Sequence, residues 1–318
     1  MGPGRQHWMD ALRGTAVLLI VLWHSFSMPY GDPPAGVAWV MDFLSVYRVP
    51  MLLLLSGLLL DQSVAKPIGT YVTGKLRRIA WPLLVWSVVL VLIGWPGANP
   101  AAPLFWLGDA AHLWYLGVLL ACYAVGLLTR WVPPVLILAA GFVAMQVVST
   151  RIEFVNNVLW FGLFFYAGAT LSRFLTRWLR APWFIPTAFL GASMAWAGYS
   201  ATVNGYTPIA HWRPLLFSVV GIVGVIWFAA RAPRVRWLEW VGQRSIVFYV
   251  AHLPVIWLVM RLLKGFPPPI TYALVLVAAL GGCFLLARFL NSSVLFELPS
   301  RRRSSGVPSV RASAPDPR

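Results

Sequence analysis

Runs of roughly 18 or more apolar residues recur along nearly the whole chain, and each suits a helix crossing a hydrocarbon layer about 30 Å thick. That recurrence commits the chain to a bundle of membrane helices. About ten spans are expected, near 10–29, 39–60, 78–95, 112–130, 132–149, 155–173, 182–199, 212–230, 244–263 and 269–291. Breaker-rich stretches such as "PYGDPPAG", "WPGANPAAP" and "KGFPPP" separate them. Of 318 residues, 59% are apolar and 11% charged, against about a quarter charged in soluble domains. The expected fold class is all-α, a polytopic bundle without internal repeats.

A net charge of +16 raises the question of a nucleic-acid partner, and the distribution of that charge answers it. With the N-terminus in the cytoplasm, the inner segments collect Arg5, Arg13, Lys66, Lys75, Arg77, Arg78, Arg130, Arg173, Arg177, Arg180, Arg231, Arg234, Arg236, Arg244 and the tail arginines. The outer side keeps only Arg151, Arg213, Arg261 and Lys264. This is the positive-inside bias, so both termini are expected in the cytoplasm and basicity reports topology, with attraction to anionic lipid as a secondary effect. No nucleic-acid partner is expected.

Cys122 and Cys283 fall inside expected helices and suggest neither a metal site nor a disulfide framework. Asp10 and Arg13 interrupt the start of the first apolar run, and no small-residue cleavage site follows it, so that helix is expected to be retained. A membrane domain over 1–298 is expected to end in a disordered basic tail, 299–318, rich in Pro, Ser and Arg.

The informative residues are those that lipid should exclude. Arg13 and His24 are eleven residues apart in "DALRGTAVLLIVLWHSF", close to three helical turns. They share one face, roughly 16 Å apart along the axis. Arg48, in "FLSVYRVPMLLLLSG", is expected at the depth of His24 on the returning helix, with Ser45 and Ser56 on its face. A central arginine costs at least about 3 kcal/mol on insertion scales, so it should face a polar cavity, and Pro50 can open the backbone there. In "GQRSIVFYVAH", Ser245, Tyr249 and His252 form a third stripe, spaced by four and then three. His112, Trp114 and Tyr115 open the fourth span at the outer interface.

Plainer readings exist for several of these. Trp114 and Tyr115 suit an interfacial aromatic belt, His112 and His211 suit solvated helix ends, and Lys75, Arg77 and Arg78 suit topology determinants. His24 and Arg48 are different, because an ionisable group within the membrane is by default a functional one.

At this point the residues resemble a known family, the membrane acyltransferases of the acyltransferase-3 type, multi-helix bacterial proteins that move acyl groups onto carbohydrates and other hydroxyls. "DALRGTAVLLIVLWH" is similar to the family's first-helix signature, an arginine followed by a histidine. "YRVPMLLLLSGLLL", "YVTGKLRRIAWPLLVW", "HLWYLGVLL" and "VGQRSIVFYVAH" resemble its second, third, fourth and late helix segments. Two departures stand out. The basic pair that is often two arginines is Lys75 and Arg78 here, which loses one bidentate fork. Where many relatives have His-Met-Pro, this chain has Arg48-Val49-Pro50, which argues against a base at that position.

The resemblance implies an acyl-coenzyme A donor, acetyl-CoA in the first place, and a carbohydrate or glycolipid hydroxyl as acceptor. No permanently bound cofactor or metal is expected. The donor's phosphates would meet Arg13, Lys75, Arg77 and Arg78 at the inner mouth. His24 would act as general base and Arg48 would stabilise the oxyanion, with Tyr249 as a further donor and His252 as a proton relay or acceptor-positioning group. Ser245, His112 and Trp114 are assigned to substrate binding. All these groups are expected to converge in one wet pocket. A transporter of a glycan or amphiphile is the competing class; against it stand the absent repeat and a single early intramembrane carboxylate, Asp42. A scaffold protein would have little use for His24 and Arg48.

Overall fold

The structure, a computed structural model, describes residues 6–31, 33–108, 111–148, 150–203, 211–290 and 294–299. Those described are helical, with turns between and no strand. Of the expected 299–318 tail only Pro299 lies within the described residues.

The first span is α1 (His7–Ser27). The second is interrupted: α2 (Ala35–Phe43) gives way to a 3-10 turn (Ser45–Tyr47) and then to α3 (Val49–Gly57). Pro50 explains the restart, because a proline has no N–H to donate and its ring is accommodated most easily in the first turn of a helix. Arg48, at ψ −93°, is the hinge residue that caps α3. After the short α4 (Leu60–Val64), α5 (Ile68–Lys75) runs through a π turn (Leu76–Ala80) into α6 (Trp81–Leu92) without a break.

Two 3-10 turns, Pro103–Leu107 and Ala111–Leu113, lead into α7 (Trp114–Leu128). Then follow α8 (Pro134–Val147), α9 (Glu153–Ser172), the four-residue α10 (Leu175–Trp178), α11 (Phe184–Val203) and α12 (Trp212–Ala229). The amphipathic α13 (Arg236–Gln243) precedes α14 (Ser245–Leu262) and α15 (Pro268–Phe289).

Seven helical segments among the described residues are long and apolar enough to cross a membrane: α1, the interrupted Ala35–Gly57 span, Ala111–Leu128, α9, α12, α14 and α15. This is a multi-pass membrane protein. The other expected spans, 78–95, 132–149 and 182–199, fall on α6, on α8 with 14 residues, and on α11, whose Gly, Ala, Ser and Thr dilute its hydropathy. Apolar periodicity had not separated α4, α5, α10 and α13, which are too short to carry a membrane-length signal.

Lipid tails are as apolar as leucine, so membrane helices associate by close packing, and small residues let backbones approach. Gly57 and Gly168 do this between α3 and α9, where an added Cβ would collide with the carbonyl of Phe165 or of Leu54. Gly14 and Gly242 bring α13 equally close to the first turns of α1, against the carbonyls of Leu238 and Asp10. A polar clamp completes that second contact outside the membrane spans. Glu239, only 4% exposed, accepts from Arg234 Nε at 3.0 Å and Nη2 at 2.8 Å, and lies 3.0 Å from Nδ1 of His7. Hydrogen bonding to Arg234 holds the carboxyl of Glu239 below the usual carboxylate range, and the charges of Arg234 and His7 act in the same direction.

Two outcomes are expected. Gly168→Val should force α3 from α9 and destabilise the protein by about 2 kcal/mol, as overpacking does, read as a lower Tm of the purified protein in detergent. Because the Glu239 carboxyl is depressed, its stabilisation is fully present above the ordinary value of 4.5 and is lost as pH falls through the lower folded-state value. Unfolding followed from pH 7 to pH 3 should therefore show a loss in the wild type, confined to pH below about 4.5, that is smaller in Glu239→Gln.

Candidate active site

The site begins with a proline. Pro254 lies inside α14 and cannot donate the hydrogen bond that Val250, four residues back, would accept in a regular helix. An unsatisfied carbonyl at membrane depth costs on the order of several kcal/mol. His112 fills the vacancy: its Nε2 lies 3.0 Å from the Val250 oxygen. A carbonyl only accepts, so Nε2 carries the proton and Nδ1 is left with a lone pair. That Nδ1 is buried with no hydrogen-bond partner among the described residues.

His252 is fixed by the same logic. Its Nδ1 lies 2.7 Å from the carbonyl oxygen of Tyr249 and 3.1 Å from that of Phe248. Nδ1 is therefore the protonated nitrogen, and the buried Nε2 has a lone pair with no partner among the described residues. The Tyr249 hydroxyl, in turn, donates to the backbone carbonyl of His112. α14 and the start of α7 are thus tied together by reciprocal bonds, side chain to backbone in both directions.

These rings form a continuous series of tilted and edge-on contacts, which we call the ring stack. Centroids are 4.9 Å apart for Tyr115 and Tyr249, 5.4 Å for Tyr249 and His112, 4.9 Å for His112 and His252, and 5.2 Å for His252 and His24. His112 and His252 are 4% and 0% exposed. Two cavities flank the stack. One, of about 350 Å³, is lined by His24, Arg48, Trp114, Trp160, Ser45 and Ser218 among others. The other, of about 320 Å³, is lined by Arg13, Arg78, Ser56, Tyr115, Ser245 and Tyr249 among others. We call them the upper and lower cavities, the lower one lying toward the N-terminal end of α1.

His24 and Arg48 thus meet at one cavity, although they come from different spans. The Arg48 guanidinium sits 4.7 Å from the Trp23 ring centroid, and its Nη1 is buried with no hydrogen-bond partner among the described residues. A cationic donor held over an aromatic face, with an N–H unused, is equipped to receive a developing negative charge. Trp114 lines the upper cavity and Ser245 and Tyr249 the lower one.

The basic residues divide. Arg13 lines the lower cavity while reaching the Leu55 carbonyl at 3.4 Å and Asp10 at 3.9 Å. Asp10, 2% exposed, also accepts from Gln243 at 3.3 Å. Arg78 lines the same cavity. Lys75 instead rests 3.3 Å from the Tyr123 ring centroid with Ser63 at 3.4 Å, and Arg77 is bonded to Leu298 and Glu297. Neither is among the groups lining that cavity.

Several expectations need correction. His112 is not a solvated helix end, because its polar edge is consumed by the carbonyl that Pro254 frees; His211 is exposed as expected. Tyr115, 8% exposed, is part of the stack and not of an interfacial belt, since α7 enters the bundle beside α14. Ser45 and Ser56 do not share a face: the break at Arg48 sends Ser45 to the upper cavity and Ser56 to the lower. The expected groups line two cavities instead of one: Arg13 lines the lower and His24 the upper. Pro254, two residues after His252, was the sequence signal for the carbonyl that recruits His112. Trp23 and Trp160 gave no signal distinct from other membrane tryptophans.

Fold and site together define a multi-pass membrane protein in which the imidazoles of His24, His112 and His252 stand in ring contact beside two polar-lined cavities. The family model described as an acyltransferase domain, of the acyltransferase-3 type, matches residues 6–288, and the chain belongs to that family. No curated protein and no solved structure matches the chain.

Restoring the α14 hydrogen bond tests the first link in this chain. Pro254→Ala supplies an N–H for Val250 and competes with His112 for its carbonyl. The variant should keep or raise its Tm while acyl transfer falls at least about tenfold, a typical cost when a supporting hydrogen bond to an imidazole is lost. Wild-type turnover in that variant would show that His112 needs no such anchoring.

Proposed function

We propose that this protein is an O-acyltransferase of the bacterial cell membrane that carries an acyl group, acetyl in the first place, from acyl-CoA to a hydroxyl of a carbohydrate, glycolipid or glycosylated metabolite. The observation that carries the reading is the position of His24, on the upper cavity and 5.2 Å ring to ring from His252. The Nε2 lone pair of His252, without a partner among the described residues, is the acceptor we assign to the ring N–H of His24 during reaction, which leaves the other His24 nitrogen as the base. His252 is in this reading a positioning residue.

The cytosolic donor enters through the lower cavity, where Arg13 and Arg78 receive phosphate oxygens. Its thioester arm passes the Tyr249 edge of the stack toward His24. The acceptor occupies the upper cavity, whose tryptophans offer flat apolar faces and whose Ser45 and Ser218 offer hydroxyls. Such a mixed lining suits a sugar, which has both apolar faces and hydroxyl edges.

As the acceptor oxygen attacks the thioester carbonyl, its proton passes to His24, a step that a positioned base accelerates by about 10²–10⁴. Negative charge moves to the carbonyl oxygen, where Arg48 donates its unused N–H. The tetrahedral centre then collapses, the C–S bond breaks, and the departing thiolate takes the proton from His24. Products are an ester and free coenzyme A, and the site returns to its starting protonation. The expected rival, an exporter, has no specific observation in its favour beside the family match.

Purified protein offered labelled acetyl-CoA and a hydroxyl acceptor should release coenzyme A and label the acceptor. His24→Ala should abolish transfer with membrane insertion intact, and Arg48→Lys should lower kcat by about 10²-fold, as loss of an oxyanion donor does. Undiminished product from His24→Ala would remove the base assignment.

A further inference from the structure

Beyond α15 the chain comes back to the basic end of α5 and α6, past residue 288 where the family match stops. The return is specified by a second proline. In the π turn the Trp81 N–H bonds to the Leu76 carbonyl, and Pro82 has no N–H, so neither residue serves the carbonyl of Arg77. The Leu298 N–H takes that carbonyl at 3.2 Å, and Arg77 Nε answers with a 2.8 Å bond to the Leu298 oxygen. Trp81 and Trp86 donate to the carbonyls of Val294 and Leu295 at 2.6 and 3.0 Å. Phe296, 2% exposed, packs 5.6 Å ring to ring from Trp86.

This docking delivers one charged group. Oε1 of Glu297 lies 3.2 Å from Arg77 Nη2 and 3.3 Å from Arg78 Nε, and Arg78 lines the lower cavity. We infer that the C-terminal strap, residues 294–299, is a built-in competitor for the phosphate-bearing ligand of the lower cavity, with the Glu297 carboxylate occupying Arg78, the guanidinium such a ligand would meet, while Arg77, off the cavity, helps hold that carboxylate in place. The inference rests on the proposal that a phosphate-bearing donor enters there. Its physical content is plain: an anion already resident on Arg78 repels an incoming phosphate and must be displaced, so ligand affinity is set below what the bare cation would give. Exposed charge pairs are worth up to about 1 kcal/mol, or about fivefold in affinity.

Glu297→Gln tests this without undocking the strap, because the amide oxygen still accepts and the Leu298, Trp81, Trp86 and Phe296 contacts remain. In low salt the variant should bind inorganic pyrophosphate about threefold more tightly than wild type, an effect of the size expected for one exposed charge. The apparent KM for acetyl-CoA should fall by a similar factor with kcat unchanged, and the difference should fade near 0.5 M salt as screening grows. Equal or weaker pyrophosphate binding by Glu297→Gln would overturn the inference, showing that the strap only anchors or orients Arg78. Tighter pyrophosphate binding with no effect of acetyl-CoA on either protein would leave the competitor in place and discard acyl-CoA as donor.

Discussion

A carbonyl deprived of its helical donor at membrane depth must find another, and most of the organisation described above follows from that demand. Pro254 frees the carbonyl of Val250, and the His112 side chain, from the 3-10 turn that leads into α7, satisfies it. That bond fixes which His112 nitrogen is protonated, ties α7 to α14, and leaves a desolvated lone pair beside His252. The same shortage recurs where Pro82 follows the π turn, and there the backbone of the C-terminal strap supplies the donor. In each case a residue that breaks one helix specifies which other segment must dock against it.

Close packing then divides the interior. Backbones meet at Gly57 and Gly168, and again at Gly14 and Gly242, where no side chain fits. Elsewhere the interior leaves two cavities of similar size, one at each end of the ring series. Their chemistry differs: Arg13 and Arg78 give the lower one a cationic wall, while the upper one has tryptophans, serines, His24 and Arg48. In the proposed reaction a highly charged donor and a neutral hydroxyl must meet without water between them, and two cavities of different lining would serve that reading.

Charge is held under tight control throughout. Asp10 is buried against Arg13 and Gln243, Glu239 against Arg234 and His7, and Glu297 spans Arg77 and Arg78. Three carboxylates of a strongly basic chain are thus tied to guanidinia, and two of those guanidinia, Arg13 and Arg78, line the lower cavity. Electrostatics there depends on which partners the folded chain assigns, and not on the total of +16.

Membrane residence, the helical class and the approximate spans were set by the apolar runs, since lipid admits little else and each run reports its own fate locally. His24 and Arg48 were legible for the same reason: a costly group inside an apolar run is visible without knowing its neighbours, and eleven-residue spacing put Arg13 on the face of His24. Tertiary structure alone decided what those groups meet. No periodicity announces that His112 is buried, that the break at Arg48 sends Ser45 and Ser56 to different cavities, or that Lys75 turns to Tyr123 while Arg78 lines a cavity. Each of these depends on which helix lies alongside, and hydrogen bonds and ring contacts between residues over a hundred positions apart leave no trace in the order of residues along either partner.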